Sequence, residues 1–361
     1  MSVFANSANG WGQHSVKPRS IPERSRTRAM THTQSMACRT SARALGALVS
    51  IVTTAVVCAC ASSGSTPPGS EQPGAEPPRF QSDADGPLVR HSTTLDGEQR
   101  AWSTYSPGAS QASDAPLLLV IHGTGDTGYG IRRGIGPDLE HLADEHGFTI
   151  AYVDGHQNNW NECRSEGDWP AKERDLDDVA LMRRVVDSVG SSGPVYAVGF
   201  SSGGHMAMRL ALEAPDLVDG VAAVAANPPT EENLQCDPAG DPVPIMFVQG
   251  REDPINPIDG GEVIVGSGPV AKSRGEVYSA VDGAAWFARH NRVAGDATVP
   301  AAVRDGDAET ITWEGAAPVR LVMVDRVGHS FPTLSGRWSR DGGARYDAPG
   351  QIWHFFSVET G

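Results

Sequence analysis

The chain alternates between short aliphatic runs and longer stretches in which apolar residues recur every three or four positions. Leu117–Ile121 contains only aliphatic side chains, the pattern of a parallel strand buried on both faces. An Asp-Gly pair at 96–97, between two polar/apolar stretches, predicts an opening hairpin that ends near residue 107. Further apolar runs predict strands at 149–153, 195–198, 220–225, 243–248 and Val319–Val324.

Helical spacing predicts helices between these strands. The helix at about 175–189 has an apolar stripe, and Asp175, Asp177 and Asp178 stand at its start, where capping and the helix dipole favour carboxylates. The other predicted helices lie at about 137–146, about 202–214, 279–292 and about 349–358. This alternation predicts an α/β fold with a mostly parallel central sheet and helices on both faces.

The N-terminal part of the chain has the pattern of an export signal. An apolar run at 44–59 follows Arg39 and Arg43, and it is shorter than the roughly 20 residues that span a membrane. The run ends in Val-Cys-Ala-Cys at 57–60, which resembles a bacterial lipobox with Cys60 as the lipidated residue. We expect an exported, lipid-anchored protein, and a plain secretory signal cleaved nearby is the alternative.

Two segments flank this signal. Residues 1–35 do not fit a signal peptide and suggest an over-extended start within the signal region of residues 1–60. Residues 61–86 are rich in Ser, Pro and Gly and predict a disordered tether. A catalytic domain is then expected at 87–361.

The charge balance narrows the range of partners. The chain has 29 Lys and Arg against 44 Asp and Glu, a formal net charge of −15. This acidity argues against a nucleic-acid partner and against electrostatic docking on anionic lipid, which leaves the lipid anchor as the expected membrane contact. The sequence does not indicate an oligomeric state.

The cysteines carry no metal signature. No CxxC pair or His/Cys cluster has zinc-like spacing, and we expect neither a metal nor a cofactor. In an oxidising compartment Cys163 and Cys236 could form a disulfide, and two buried free thiols are the alternative.

The motif Gly-Phe-Ser-Ser-Gly at 199–203 lies between a predicted strand and a predicted helix. In that position a G-x-S-x-G sequence is a sharp turn that presents its serine in the cleft, and the flanking glycines avoid a clash. Ser201 is therefore the predicted nucleophile.

A serine nucleophile needs a base and an acid from later strand ends. Asp253 follows the 243–248 strand, and His329 follows Val319–Val324. These residues complete the predicted triad in the order serine, acid, histidine. The rivals for the acid are Glu252 and Asp325, and the rivals for the base, His290 and His354, lie inside predicted helices.

The tetrahedral intermediate also needs backbone N–H donors. The N–H of Ser202 is one predicted donor, and the second is Thr124, in the His-Gly-Thr-Gly loop after Leu117–Ile121, with Gly125 as the alternative. His122 is predicted to hold this loop by hydrogen bonding.

These motifs resemble the esterase family that includes polyhydroxybutyrate depolymerases and bacterial feruloyl and acetylxylan esterases. The resemblance runs through most of 88–358 and includes the His-Gly of the 122–125 loop, Gly-Phe-Ser-Ser-Gly-Gly at 199–204 and Gly-His-Ser-Phe-Pro at 328–332. It implies an α/β-hydrolase fold, a Ser-Asp-His triad without a metal, and hydrolysis of carboxylic esters.

The resemblance also bears on the loop at 160–163. Family members often carry tryptophan and cysteine there, which implies a Cys163–Cys236 disulfide. Trp160 is either a surface in the cleft on which an aromatic acyl group or a sugar stacks, or a packed loop residue. Thr124, where the family often has cysteine, and Phe331, where it often has tryptophan, weaken the transfer of a particular substrate.

The sequence therefore predicts an extracytoplasmic serine esterase that acts on short-chain, feruloyl, acetyl or hydroxyalkanoate-oligomer esters. One alternative is a serine peptidase of the same fold. A second alternative is a non-catalytic surface lipoprotein.

Overall fold

A computed structural model describes residues 88–107, 113–238, 240–293, 298–335 and 346–359. The predicted signal region, its lipobox Cys60 and the tether lie outside the described residues. Within them, no helix combines the length and the apolar character that crossing a membrane requires.

The described strands β1 to β12 form one large sheet and one separate hairpin. Their bounds are Leu88–Leu95, Glu98–Tyr105, Leu117–Ile121, Thr149–Asp154, Val195–Phe200, Gly220–Val224, Ile245–Gly250, Gly261–Val265, Lys272–Val277, Val303–Asp305, Ala308–Trp313 and Val319–Val324. The large sheet has the order β1-β2-β4-β3-β5-β6-β7-β12-β11-β10, and β8 pairs with β9. The six central strands are parallel, and an antiparallel pair closes each edge.

Six α-helices, α1 to α6, are described. Their bounds are Gly128–His146, Pro170–Glu173, Asp178–Val189, Ser202–Glu213, Ala280–His290 and Ala348–Glu359, and a 3₁₀ turn at Gly268–Val270 joins β8 to β9. Helices α3, α4 and α5 cover one face of the sheet, and α1 and α6 cover the other. Because both faces are covered, the central strands are buried throughout, as their aliphatic composition predicts. The α/β prediction is confirmed.

Helix α1 begins nine residues before the predicted start at about residue 137. The helix begins at Gly128, with the Thr127 hydroxyl as its N-cap, and includes Pro137. Its first turns contain several glycines, which disfavour a helix intrinsically. Close packing accounts for the glycine at position 128, because a Cβ atom there would lie 2.8 Å from the carbonyl oxygen of Tyr152.

The carboxylates at the start of α3 have different environments. Asp177 is the N-cap and accepts the N–H of Ala180, as predicted. Asp178 is fully buried, pairs with Arg100 and accepts the backbone N–H of Asn161 at 2.6 Å. Burial raises the pKa of the Asp178 carboxyl, although Arg100 opposes this shift. Asp178 lies in the first turn of α3, where the helix dipole favours a carboxylate as predicted, and its buried pairing with Arg100 is a further contact that the sequence did not indicate.

The opening hairpin of β1 and β2 was predicted, but β8, β9, β10 and β11 were not predicted from the sequence. The β8–β9 hairpin is mostly exposed, and β10 is three exposed residues long. β10 has no aliphatic run, and the aliphatic run of β8, at 263–265, is shorter than that of a buried strand. The Asp-Gly pair at 305–306, between β10 and β11, is a hairpin signal that could have been read.

Candidate active site

Ser201 stands on the turn between β5 and α4. Its backbone has φ 54° and ψ −119°, a strained conformation for a residue other than glycine. Close packing holds the turn, because a Cβ atom on Gly199 would lie 1.9 Å from the carbonyl oxygen of Gly203. A Cβ atom on Gly203 would lie 2.1 Å from that of Ile121. The two glycines therefore allow the backbone contact that the sharp turn needs.

His329 and Asp253 lie beside Ser201. The Nε2 atom of His329 is 3.0 Å from the Ser201 hydroxyl, and its Nδ1 atom is 2.7 Å from Oδ2 of Asp253. The Asp253 side chain is fully buried, and that of His329 is 15% exposed. Since a carboxylate only accepts hydrogen bonds, Nδ1 carries the proton and Nε2 is left to accept the serine proton. The structure thus brings the three predicted residues together in one hydrogen-bonded chain.

The rival residues lie elsewhere. Glu252 is exposed, and Asp325 pairs with Arg251 and Arg304. His290 and His354 lie on α5 and α6, as expected.

A buried amide network holds the Asp253 loop. Oδ1 of Asp253 accepts the backbone N–H groups of Ile255 and Asn256, each at 2.8 Å. The Asn256 side chain accepts the backbone N–H of Asn227 at 3.0 Å and donates to Gln249 at 3.3 Å. Asn256 therefore connects the acid to the segment that follows β6.

His205 connects the same segment to the serine turn. It lies one turn after Ser201 on α4, with Nε2 3.0 Å from the Asn227 carbonyl oxygen and Nδ1 3.2 Å from that of Ser201. Burial, reinforced by Arg164, lowers the pKa of His205 to about 3. A neutral imidazole has one N–H, and we assign it to Nε2 because that contact is shorter.

Asn256 and His205 were not predicted from the sequence. A polar residue three positions after the acid, and a histidine four positions after the serine, were the available signals. Neither pattern is specific enough to identify its hydrogen-bond partners.

The predicted oxyanion donors lie at the start of α4 and on the loop between β3 and α1, whose Gly123 lies close to Ser201. Ser202 is the first residue of α4, where a backbone N–H has no acceptor within the helix. Within the described residues, the Thr124 N–H also has no acceptor. The Gly125 N–H donates to the Asn158 carbonyl oxygen at 2.8 Å, which removes the alternative donor.

Trp160 does not line a cleft. Its side chain is fully buried, and its Nε1–H donates to the His122 carbonyl oxygen at 2.8 Å. The interpretation of Trp160 as a stacking surface for substrate therefore fails, and the interpretation as a packed loop residue describes it. His122 is also buried, and it bonds within its own loop as expected.

Cys163 and Cys236 form a disulfide, with Cα atoms 5.0 Å apart. It joins the loop after β4 to the segment between β6 and β7. Among the described residues, no group of three or more His, Cys, Asp or Glu side chains is arranged to hold a metal ion.

Comparison with known proteins agrees with this architecture. Residues 116–243 match the family model for the alpha/beta hydrolase fold. The chain is 36% identical over 185 residues to NocK, a proposed esterase from Nocardia uniformis subsp. tsuyamanensis. That match covers 49% of this chain, which spans about half (52%) of the relative.

Solved structures with similar folds have lower sequence identity to this chain. An acetyl xylan esterase from Aspergillus awamori has a TM-score of 0.48 at 13% identity, covering 68% of this chain and 95% of that one. An S-formylglutathione hydrolase from Agrobacterium tumefaciens has a TM-score of 0.46 at 14% identity, covering 78% and 98%. Because both TM-scores are below 0.5, these similarities say nothing about the function of this chain. The match of residues 116–243 to the family model shows that the chain has the alpha/beta hydrolase fold, and a proposed esterase is among its homologues.

Proposed function

We propose that this protein is a serine esterase that hydrolyses carboxylic esters through an acyl-enzyme intermediate. The observation that carries the proposal is the hydrogen-bonded chain from Asp253 through His329 to Ser201, with distances of 2.7 and 3.0 Å. A serine hydroxyl is a weak nucleophile at neutral pH, and a base oriented by a buried carboxylate activates it.

Acylation begins when the Ser201 oxygen attacks the ester carbonyl carbon. The serine proton passes to Nε2 of His329, and the carbonyl electron pair moves to the oxygen. Asp253 keeps the imidazole oriented and stabilises its positive charge. The intermediate collapses when the bond to the alcohol oxygen breaks, and His329 returns its proton to the departing alcohol.

Deacylation repeats these steps with water as the nucleophile. His329 takes a proton from water, the resulting oxygen attacks the acyl carbon, and Ser201 leaves with the proton from His329. In both steps the oxyanion accepts hydrogen bonds from the N–H groups of Ser202 and Thr124. The positive end of the α4 dipole, behind Ser201, favours the same charge.

The proposed substrates are short-chain, feruloyl or acetyl esters, or hydroxyalkanoate oligomers. The support is the resemblance of the 199–204 and 328–332 motifs to polyhydroxybutyrate depolymerases and feruloyl and acetylxylan esterases. The relative that is named as a proposed esterase is consistent with ester chemistry.

We further propose that the protein is exported and lipid-anchored at Cys60, with full secretion as the alternative. The apolar run before Cys60 supports export. The Cys163–Cys236 disulfide supports an oxidising compartment.

The test is a panel of p-nitrophenyl esters, feruloyl esters and hydroxybutyrate oligomers, with matched amides, given to the purified protein and to Ser201→Ala. We expect the wild type to hydrolyse esters and the variant to lose this activity. Turnover of the amides in preference to the esters would favour a peptidase. If wild type and variant hydrolyse the panel equally slowly, the proposal is wrong.

A further inference from the structure

The loop between β3 and α1, residues 122–127, is hydrogen-bonded to the 155–160 segment that follows β4. The backbone N–H of Gly155 donates to Nε2 of His122 at 2.9 Å. The indole N–H of Trp160 donates to the His122 carbonyl oxygen at 2.8 Å, and the Gly125 N–H donates to the Asn158 carbonyl oxygen at 2.8 Å. These bonds hold the β3–α1 loop on both sides of the Gly123–Thr124 peptide.

The His122 ring orients that peptide. Because Nε2 accepts the Gly155 N–H, the ring proton is on Nδ1, which donates to the Gly123 carbonyl oxygen at 2.8 Å. Burial lowers the pKa of His122, so the ring stays neutral and keeps this tautomer. The Gly123 carbonyl and the Thr124 N–H belong to one planar trans peptide and point in opposite directions. Fixing the carbonyl therefore fixes the direction of the Thr124 N–H.

Trp160 holds the position of His122. Its indole is fully buried, and its ring centroid lies 4.8 Å from that of His122. Its own backbone carbonyl accepts the indole N–H of Trp169 at 2.5 Å. The next residue, Asn161, donates its backbone N–H to the buried carboxylate of Asp178. The Trp160 segment is thus held by Trp169 and Asp178, and the single polar hydrogen of the Trp160 side chain is donated to the His122 carbonyl oxygen.

We propose that Trp160 is a positioning residue that aims the Thr124 N–H at the oxyanion. This inference rests on the proposed function, because it assumes an oxyanion at that place. Trp160 touches neither the substrate nor the reacting atoms. Negative charge develops on the ester carbonyl oxygen only during the reaction. An N–H group that is already oriented toward that oxygen therefore stabilises the transition state more than the bound ester.

The first test is Trp160→Phe, which removes the N–H and keeps an aromatic ring. Removing an oxyanion donor outright costs about 10²–10³ in kcat. We expect a displaced donor to cost less, about tenfold to a hundredfold in kcat, with KM changed by less than about twofold.

Trp102→Phe is the matched control. Trp102, on β2, is also buried, but its indole N–H has no acceptor among the described residues. The same truncation there removes ring volume without removing a hydrogen bond. We expect this variant to lose stability and to keep the wild-type kcat.

A reversible inhibitor separates positioning from packing. A trifluoromethyl ketone reacts with Ser201 so that a carbon–oxygen bond forms, the serine proton passes to His329, and the carbonyl oxygen becomes an oxyanion. We expect Trp160→Phe to weaken its affinity by the same factor as kcat/KM. The affinity for the alcohol product, which has no oxyanion, is expected to stay at the wild-type value.

The outcomes distinguish the two proposals. Wild-type kcat and inhibitor affinity in Trp160→Phe, or losses equal to those of Trp102→Phe, would overturn the positioning role and leave the esterase proposal standing. No ester hydrolysis by the wild type would overturn both. If Trp160→Phe does not fold, replacing Trp160 with 3-benzothienylalanine keeps the bicyclic ring and puts sulfur in place of the N–H. Full activity of that protein would overturn the positioning role, and the expected losses would support it.

Discussion

Asn256 and His329 hold the two oxygens of Asp253 from different sides. The Asn256 backbone N–H donates to Oδ1 at 2.8 Å, and Oδ2 faces Nδ1 of His329 at 2.7 Å. A carboxylate bonded at both oxygens cannot rotate without losing one of these bonds. The orientation of the proposed base therefore depends on the short loop that follows β7.

The first prediction concerns the triad. We expect Ser201→Ala and His329→Ala each to lower turnover by about 10⁶, and the double variant to be no worse, because the residues act as one unit. Asp253→Asn keeps the shape and loses the charge, so we expect a loss of about 10⁴. Glu252→Gln, on an exposed neighbour, is the control and should retain activity. Steady-state kinetics that show the reverse order for Asp253 and Glu252 would move the acid to Glu252.

The second prediction concerns Asn256. Asn256→Ala keeps the backbone N–H that Asp253 accepts but removes the side-chain bonds to Asn227 and Gln249 that hold this loop. We expect kcat to fall by about tenfold to a hundredfold, because the loop that orients Asp253 is less firmly held. Asn291→Ala is the matched control, because that buried side chain bonds the Val243 and Ala317 carbonyl groups, which precede β7 and β12. Both variants should lose about 1–3 kcal/mol of unfolding free energy. An equal effect of the two on kcat would refute the positioning role.

The third prediction concerns pH and His205. Its pKa of about 3 in the fold is below the ordinary value of 6.5, so the unfolded chain binds the proton first as the pH falls. His205 therefore makes the unfolding free energy decrease from about pH 6.5 to about pH 3, by up to roughly 1.4 kcal/mol per pH unit.

His205→Gln retains an N–H donor and cannot titrate. The unfolding free energy of this variant, measured with denaturant between about pH 6 and pH 4, should therefore depend less steeply on pH than that of the wild type, by up to roughly 1.4 kcal/mol per pH unit. His141→Gln, on an exposed position of α1, is the control. An unchanged slope in His205→Gln would mean that His205 is protonated in the fold.

The fourth prediction concerns the disulfide. Cys163 and Cys236 are separated by 73 positions, and closing a loop of this length stabilises a protein by about 2–4 kcal/mol. The double variant Cys163→Ala/Cys236→Ala should lose about that much unfolding free energy. Mass spectrometry of an unreduced digest should find the two cysteine peptides linked. Separate peptides carrying free thiols would contradict the prediction.

The fifth prediction concerns Cys60. Growth with a labelled fatty acid should label the wild type and the control Cys58→Ser, because only Cys60 occupies the lipidated position of the lipobox. Cys60→Ser should remain unlabelled. Equal labelling of Cys60→Ser and the wild type would rule out that anchor and favour the secretory alternative.

The parallel core could be predicted from the sequence because strands that are buried on both faces consist mostly of aliphatic residues. Leu117–Ile121 and Val319–Val324 have the predicted bounds. The 243–248 strand lies two residues later, at Ile245–Gly250. Pro244 explains the later start, because it has no N–H for the strand ladder.

The site was predictable where a residue type has a specific chemistry and a required place in the chain. Ser201, Asp253 and His329 met both conditions, and the structure brings them together. Trp160 met neither, because the burial of a loop side chain depends on segments distant in sequence. Its partner His122 is 38 positions away, and no periodicity connects the two.

The close packing around Ser201 has a consequence for engineering. Even the smallest side chain on Gly199 or Gly203 would overlap backbone oxygen atoms, so a mutagenesis library at these positions would return almost only inactive clones. Thr124, on the neighbouring loop, is partly exposed. Directed evolution toward new esters would therefore have to proceed through the loops around the serine, while the turn itself stays unchanged.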